Sequence, residues 1–263
     1  MRRSPLRRPI AVGLHLCLAI LLSVSPVPTS AHPRPQTPPD VSAVLASLDA
    51  LYRSTSSIAR MEIIVVTPRT TRTLRLKAWT RGDQESLVII EAPPREEGIA
   101  TLRVGENLWN YLPRIARTIR VPPTMMLGSW MGTDFTNDDL VKESSYRRDF
   151  DARIDRRSES PAGWWIRLDV KPGIVGRWSR IDLLIADDGL PVEEHHFDRK
   201  GRRARTMTFD QITVLGGRRL PTHMVMTPAE TSGQRTEMRY LDAQFDVTLP
   251  ADTFSLARLE RRK

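Results

Sequence analysis

The sequence contains one serine motif in which a catalytic nucleophile would be sought. Ser129 lies in Gly128-Ser129-Trp130-Met131-Gly132, one place away from the serine position of the Gly-x-Ser-x-Gly nucleophile elbow. That elbow also needs a strand before the serine and a helix after it, and neither pattern surrounds Ser129. The motif is poor support for a hydrolase, so we expect a protein that binds rather than catalyses.

A second place for chemistry is the run Glu193-Glu194-His195-His196. Neighbouring residues of a strand point to opposite faces, so the two histidines cannot hold one metal ion together. Glu194 with His196, or Glu193 with His195, supplies only two ligands, which falls short of a closed metal site. We therefore interpret the run as a solvated strand and expect neither a metal nor another cofactor.

Residues 1–31 have the layout of a secretory signal peptide. Four arginines precede an apolar run from Ile10 to Val24, and Pro26, Pro28 and small residues up to Ala31 follow. The run is shorter than the about 20 apolar residues of a membrane span. We expect cleavage after Ala31 and a mature protein outside the cytoplasm; an uncleaved membrane anchor is the alternative.

Removal of the signal peptide changes the composition of the chain. The only cysteine, Cys17, is lost with it, so the mature chain has no thiol with which to form a disulfide or a cysteine metal site. Four arginines are lost as well, and the formal charge falls from +9 to +5. Residues 32–40 are a proline-rich lead-in, and residues 41–263 suit one β-rich domain.

Two groups of closely spaced basic residues suggest nucleic-acid binding at first sight. Export argues against such a partner, and alternation with apolar residues is typical of a solvent-facing strand. The first group would instead form a basic rim, which meets either anionic phospholipid headgroups or an acidic patch on a membrane transporter. The first group is Arg114, Arg117 and Arg120, and the second is Arg199, Lys200, Arg202, Arg203 and Arg205.

The elements that must position these residues are one helix followed by many strands. From Asp40, a predicted N-cap, apolar residues recur at helical spacing as far as Tyr52. After that the period changes to two, and turn residues separate the apolar runs. The predicted strands are Ile58–Thr67, Thr71–Arg81, Glu85–Ala92, Ile99–Val104, Asn107–Leu112, Ala116–Val121, Glu143–Phe150, Ala152–Ser158, Trp164–Val170, Ser179–Ala186, Pro191–Asp198, Ala204–Leu215, Pro221–Thr227 and Gln234–Ala243.

Consecutive strands with short turns predict an antiparallel meander, because parallel pairs would need long crossover connections. A flat sheet of this length would expose two edges. Curling into a barrel or half-barrel reduces that exposure and creates a concave interior that the helix can cover. A two-sheet sandwich fits the same pattern.

The segment Pro122–Gly132 interrupts the strand pattern. It is apolar, punctuated by glycine and rich in methionine, whose flexible thioether side chain adapts to ligands of variable shape. It is either a mobile lid over an apolar cavity or a loop that fills one end of the core. Further on, Thr136 is a predicted cap of a short helix, with Asp138 and Asp139 in the first turn.

Five short motifs, in this order and spacing, carry a resemblance to a known family. From about Met61 to its C-terminus, the chain resembles the periplasmic outer-membrane lipoprotein-sorting proteins of the LolA-like superfamily, in the branch found with lipid-exporting membrane transporters. Thr133 stands where the family usually has serine. The motifs are Pro94-x-x-x-Gly98-x-Ala100-x-Leu102, Leu108-Trp109-x-Tyr111-Leu112-Pro113, Arg117-x-Ile119, Met131-Gly132-Thr133-Asp134-Phe135 with Asp139-Leu140, and Leu249-Pro250-x-x-x-Phe254-Ser255-Leu256.

The resemblance implies a mainly β fold, a curved antiparallel half-barrel with helices covering its concave side. It also implies a periplasmic, non-enzymatic carrier that holds lipid or lipoprotein acyl chains in the hollow, with an inner-membrane transporter as a further partner and transient membrane contact. An interaction protein, such as an envelope-stress regulator or an accessory subunit of an exporter, remains the alternative. The residues expected to line the cavity or its lid are Trp79, Ile89, Leu102, Trp109, Tyr111, Met125, Met126, Trp130, Met131 and Phe135.

Overall fold

Thirteen strands form one antiparallel sheet in the computed structural model, which describes residues 37–52, 54–142, 146–174 and 176–260. The predicted signal peptide and most of the proline-rich lead-in lie outside these residues. The strands are β1 (Ser56–Val66), β2 (Thr71–Arg81), β3 (Glu85–Ala92), β4 (Ala100–Val104), β5 (Asn107–Leu112), β6 (Arg117–Arg120), β7 (Phe150–Glu159), β8 (Ala162–Val170), β9 (Trp178–Ala186), β10 (Pro191–Asp198), β11 (Arg203–Leu215), β12 (Arg218–Pro228) and β13 (Arg235–Phe245).

The strand order runs β6-β5-β4-β3-β2-β1-β13-β12-β11-β10-β9-β8-β7. Strands that are neighbours in the chain pair with each other, except β6 and β7, which lie at opposite edges, and at the centre the first strand pairs with the last. The edge strands β6 and β7 do not close on each other in the described part of the chain. The predicted curved half-barrel is confirmed, and neither the closed barrel nor the sandwich is formed.

Four helices complete the described fold: α1 (Val41–Tyr52), α2 (Asn137–Lys142), α3 (Tyr146–Asp149) and α4 (Leu256–Glu260). The predicted cap of α1 is confirmed, because the Ser42 backbone N–H donates to Asp40 Oδ1 over 3.0 Å. Leu45 of α1 is buried on the sheet against β8 and β9. Within the described residues, none of the helices is long and apolar enough to span a membrane.

One predicted strand is wrong. Residues 146–149 of the expected strand Glu143–Phe150 form helix α3, and the strand β7 begins only at Phe150. The helical turn brings Tyr146 and Phe150, four positions apart, to the same side, where their rings meet edge to face with centroids 6.2 Å apart. In a strand the same two side chains would lie more than 10 Å apart along the chain.

Strict alternation along β2 to β5 divides the side chains between the two faces of the sheet. Leu74, Leu76 and Ala78 of β2 are buried on the concave face, as their spacing predicts. Residues of the other parity pack on the convex face against the C-terminal segment, where Phe254 and Leu259 are buried. The helices α1 and α2 thus lie on the concave side, while α4 covers part of the convex side.

Candidate functional site

The concave face holds a cavity of about 240 Å³. Its wall is drawn from strands on both halves of the sheet, from the end of α1 and from the segment that follows β6. Most of the lining is apolar, as at Met61, Leu76, Met226 and Met238. A smaller hollow of about 90 Å³ lies beside it under α1. The cavity is the larger of the two hollows, mostly apolar and lined by a few polar groups, so it is the candidate binding site.

A row of three alanines makes room for the cavity. Ala59 of β1 lies directly opposite Ala78 of β2 on one side and Ala243 of β13 on the other. All three line the cavity and are buried. Because neighbouring strands lie about 4.8 Å apart, the row leaves about 10 Å of the sheet without large side chains. The hollow is therefore built into the sequence of the three central strands.

The segment Pro122–Leu140, here called the strap, closes the concave side over β1 to β5. Trp130 is its anchor, since the ring is 4% exposed and its Nε1–H donates to Thr101 Oγ1 over 3.0 Å. The predicted cap at Thr136 is confirmed, and Thr136 and Asp139 cap each other. The Asp139 N–H donates to Thr136 Oγ1, and the Thr136 N–H donates to Asp139 Oδ2, as in a capping box.

Two polar latches join the strap to the second half of the sheet. Arg205 of β11 donates to both oxygens of the Asp139 carboxylate, over 2.7 and 2.8 Å. Asp134 accepts from Thr236 Oγ1 over 2.8 Å and from Gln234 Nε2 over 2.5 Å. The side chains of Arg205 and Asp139 are only 7% and 14% exposed. Hydrogen bonds therefore fix the strap over the cavity, and it is not a loose loop.

The cavity wall beside Arg205 carries a chain of polar groups. His196 Nε2 and Glu194 Oε2 lie 2.9 Å apart, and the Tyr146 hydroxyl donates to the same oxygen over 3.1 Å. On its other side, His196 Nδ1 is 3.5 Å from Arg205 Nη2. Because the guanidinium has only donors, the neutral imidazole must accept at Nδ1 and donate from Nε2. Trp178 packs under Arg205, with the guanidinium 4.3 Å from the ring centroid.

The protonation of this polar wall is set by burial and by Arg205. Burial and the nearby Arg205 charge lower the pKa of His196 below its ordinary 6.5, although Glu194 and Asp139 oppose the shift. Burial alone would raise the pKa of Asp139, but the charge and hydrogen bonds of Arg205 outweigh it and bring that pKa to about 2. At neutral pH the wall therefore holds a neutral histidine beside an ionised aspartate.

The ten predicted lining residues are divided by the structure. Trp130 and Phe135 line the cavity, and Met131 packs against the neighbouring concave cluster. Met126 is half-buried on the strap, and Met125 is 60% exposed. The other five occupy the convex face, in the cluster covered by the C-terminal segment, and do not line this cavity: Trp79, Ile89, Leu102, Trp109 and Tyr111.

These five residues face the convex side because side chains alternate between the two faces along each strand. Ala78, Val88, Thr101 and Leu108 line the cavity, and each directly precedes or follows one of the misplaced residues in the chain. Successive side chains of a strand point to opposite faces. The large aromatic and aliphatic residues fill the convex cluster, whereas the cavity uses the smaller neighbours.

The predicted basic rim lies at the edge of the sheet. Arg114 is in a 3₁₀ turn (Pro113–Ile115) before β6, and Arg117 and Arg120 are the first and last residues of β6. All three are exposed. Arg120 donates to Asn107 Oδ1 on the neighbouring strand. The rim is separate from the cavity lining.

Five residues of the site were missed or misjudged from the sequence. Glu194 and His196 are 4% and 3% exposed, and Arg205 is 6% exposed, so the expectation of a solvated strand is wrong for all three. The sequence predicts Asp139 only as a residue in the first turn of a short helix, and no motif singles out Trp178. The spacing of Glu194, His196 and Arg205 on neighbouring strands was the available signal, but the sequence does not show which face is covered.

The two remaining chemical motifs have local partners. Ser129 Oγ donates to the Thr133 carbonyl over 2.6 Å, within the strap. Glu193 Oε1 and His195 Nε2 lie 2.7 Å apart on the opposite face from Glu194. Among the residues that the structure describes, no three His, Cys, Asp or Glu side chains are placed to hold a metal ion.

Comparison with solved structures identifies the fold. A domain assigned as an outer membrane lipoprotein-sorting protein from Vibrio parahaemolyticus superposes with a TM-score of 0.69 at 23% identity, over 82% of this chain and 97% of that one. A LolA superfamily protein from Nitrosomonas europaea gives 0.70 at 20% identity, over 82% and 98%. A DUF1329 family protein from Desulfovibrio piger gives 0.73 at 18% identity, over 82% and 96%.

A curved open sheet with a strapped concave cavity, together with these superpositions, defines the fold as LolA-like. The predicted resemblance is thereby confirmed for the fold. A family model described as "Uncharacterized protein" matches residues 82–261, and the chain belongs to that family. No curated protein matches the sequence.

Proposed function

We propose that the protein is a non-enzymatic periplasmic carrier that binds an acyl chain of a lipid or lipoprotein in the concave cavity. The observation that carries the proposal is the cavity itself, with its alanine row, its methionine-rich lining and its latched strap. The lipoprotein-sorting assignment of the Vibrio domain and the signal-peptide pattern support the same reading. Delivery towards the outer membrane with an inner-membrane transporter is the finer part of the proposal.

The energetics of transfer favour such a carrier. Each buried methylene contributes roughly 0.8 kcal/mol, so about ten of them contribute about 8 kcal/mol. A lipid chain therefore leaves a membrane at a useful rate only if a protein replaces the apolar surroundings. Ligand sites commonly enclose roughly 300–1,000 Å³, and the cavity of about 240 Å³ lies just below that range. A cargo with several chains requires the strap to move.

The proposal is tested by native mass spectrometry with lipid extraction on the mature protein purified from its own periplasm. We expect co-purifying lipid or acylated peptide, and uptake of a fluorescent fatty acid by the delipidated protein. Ala59→Phe, at the centre of the alanine row, should reduce uptake about tenfold or more, because a phenyl ring occupies the space of the chain. Ala43→Phe, on the exposed side of α1, is the matched control and should not.

A protein that carries no lipid and takes up no acyl probe would contradict the carrier function. In that case the half-barrel serves to recognise a partner, as an exporter subunit or an envelope-stress regulator would. Normal uptake by Ala59→Phe would place the ligand elsewhere on the molecule.

A further inference from the structure

The sheet edge beside the strap carries an unusual concentration of exposed apolar side chains. Ile115, Ile119, Met125 and Leu127 are 57%, 48%, 60% and 50% exposed. They are half of the large exposed hydrophobic residues in the described part of the chain, yet they fall within thirteen consecutive positions. Scattered single apolar residues need no explanation, whereas a local concentration marks an interaction surface.

Three arginines alternate with these apolar residues. Arg114, Arg117 and Arg120 are exposed, and none has a carboxylate partner among the residues that the structure describes. Within the described ranges, the only hydrogen bond of their side chains joins Arg120 to Asn107 Oδ1, a neutral group. Elsewhere most surface arginines pair with an acid, as Arg75 does with Glu62. The edge therefore has uncompensated positive charge.

We propose that this edge patch, residues 114–127, docks the protein on the surface of an anionic lipid bilayer. On docking, the arginines would pair with lipid phosphate groups, and the exposed apolar side chains would enter the boundary with the acyl chains. Basic residues beside an anionic leaflet each add to the attraction, and the attraction decreases as salt screens it.

Two features favour a lipid surface over a peptide as the partner. Ile115 and Met125 stand on two 3₁₀ turns, Pro113–Ile115 and Pro123–Met125, Ile119 stands on the four-residue strand between them, and Leu127 follows the second turn. That surface is too short and uneven to pair with an added strand, and neither of the two cavities described above extends to it. A fluid bilayer accommodates such a surface because the lipids rearrange around each side chain.

The position of the patch relates docking to the cavity. The patch overlaps the first part of the strap, and Trp130 follows only three residues after Leu127. Lipid contact at the patch would therefore act next to the segment that covers the cavity. The inference stands independently of the cavity's ligand, because it rests on exposed residues outside the lining.

The test is sedimentation of the mature protein with vesicles of phosphatidylethanolamine and phosphatidylglycerol, with phosphatidylcholine vesicles as the neutral comparison. We expect binding to the anionic vesicles that weakens as salt is added. The triple variant Arg114→Gln, Arg117→Gln, Arg120→Gln should bind about a hundredfold more weakly. A second variant, Ile115→Ser with Ile119→Ser, should also bind less.

Matched controls remove equal charge and equal apolar surface elsewhere. Arg69→Gln, Arg95→Gln, Arg203→Gln changes three exposed arginines, and Ile212→Ser with Val214→Ser changes two exposed apolar residues. Both controls should bind as the parent does. No binding by the parent, or equal losses in patch and control variants, overturns the inference. Fatty-acid uptake by each variant separates the two proposals, since docking variants should retain it.

Discussion

At the scale of single residues, the ion pair of Arg205 and Asp139 is the costliest interaction of the site. Both side chains are nearly excluded from water, and removing ions from water costs several kcal/mol per ion. The cost is offset by two short hydrogen bonds, by the Thr136 N–H and by the Trp178 ring under the guanidinium. The pair therefore specifies where the strap sits more than it stabilises the fold.

Asp139→Asn should lower the free energy of unfolding by about 3 kcal/mol, because Arg205 is left as a buried, unpaired charge. Urea unfolding of the purified variant measures the loss. Glu91→Gln is the matched control: it breaks the exposed pair with Arg60, and a change within about 0.5 kcal/mol is expected. Similar losses in the two variants would show that the buried pair has no special role.

The polar wall also predicts how stability depends on pH. The pKa of His196 is lowered in the folded protein, so below about pH 6.5 the unfolded chain binds a proton that the folded chain does not. The stability contributed by the neutral histidine is present above that pH and is lost as the pH falls below it. Asp139 adds a second loss between pH 3.8 and about 2.

Urea unfolding at about pH 7.5 and about pH 5.5 measures the first of these losses. The free energy of unfolding should fall by about 1 kcal/mol between the two, and His196→Asn should reduce the fall. An unchanged pH dependence in the variant would assign the loss to other groups.

At the scale of elements, the close packing of β8 against β9 rests on a glycine. A Cβ atom on Gly163 would lie 2.2 Å from the Ile185 carbonyl oxygen and 3.0 Å from Ala186 Cα. These are backbone atoms of the paired strand, so they cannot move aside as a flexible side chain would.

Gly163→Ala should therefore destabilise the protein by about 2 kcal/mol, even though alanine suits a strand no worse than glycine. Thermal and urea unfolding measure the effect. An alanine variant as stable as the parent would mean that β8 shifts along β9 at little cost, and a changed hydrogen-exchange pattern in β7 and β8 would then be expected.

The elements themselves were largely predictable because the sequence marks them locally. Gly105 and Gly201 stand at turns with positive φ. The alternation of apolar and polar residues between successive turns of this kind defines the strands. The face that bears the cavity was not predictable in this way. Trp79 and Ala78 have opposite parity, but only the packing of Phe254 and the strap decides which of the two faces is hollow.

The polar wall was hidden for a different reason. Arg205 and Asp139 are 66 positions apart, and arginine, glutamate and histidine on a strand are usually solvated. Their burial follows from the strap folding across the sheet, which is a long-range event with no local pattern. The predicted half-barrel and the predicted lid-like segment were therefore within reach of the sequence, whereas the contacts between them were not.

At the scale of the whole molecule, the cavity and the strap lie on the concave side of an open sheet, and the edge patch lies at its β6 edge. The strap comes from the connection between the two halves of the chain, after β6 and before β7, and its latches reach β11 and β13. The cover of the hollow is thus attached to strands of the second half, while its Trp130 anchor rests on β4 of the first half. Movement of the strap would require breaking both attachments.

The pairing of β1 with β13 sets the order in which the protein becomes complete during synthesis. Ser57 lies opposite Phe245. The second edge of β1 can therefore be paired only after nearly the whole chain has been synthesised. A chain interrupted before Arg235 would leave β1 and β12 as open edges, and such edges recruit other chains. Long-range pairing also slows folding. We therefore expect the folding protein to depend on chaperones that shield β1 until β13 pairs with it.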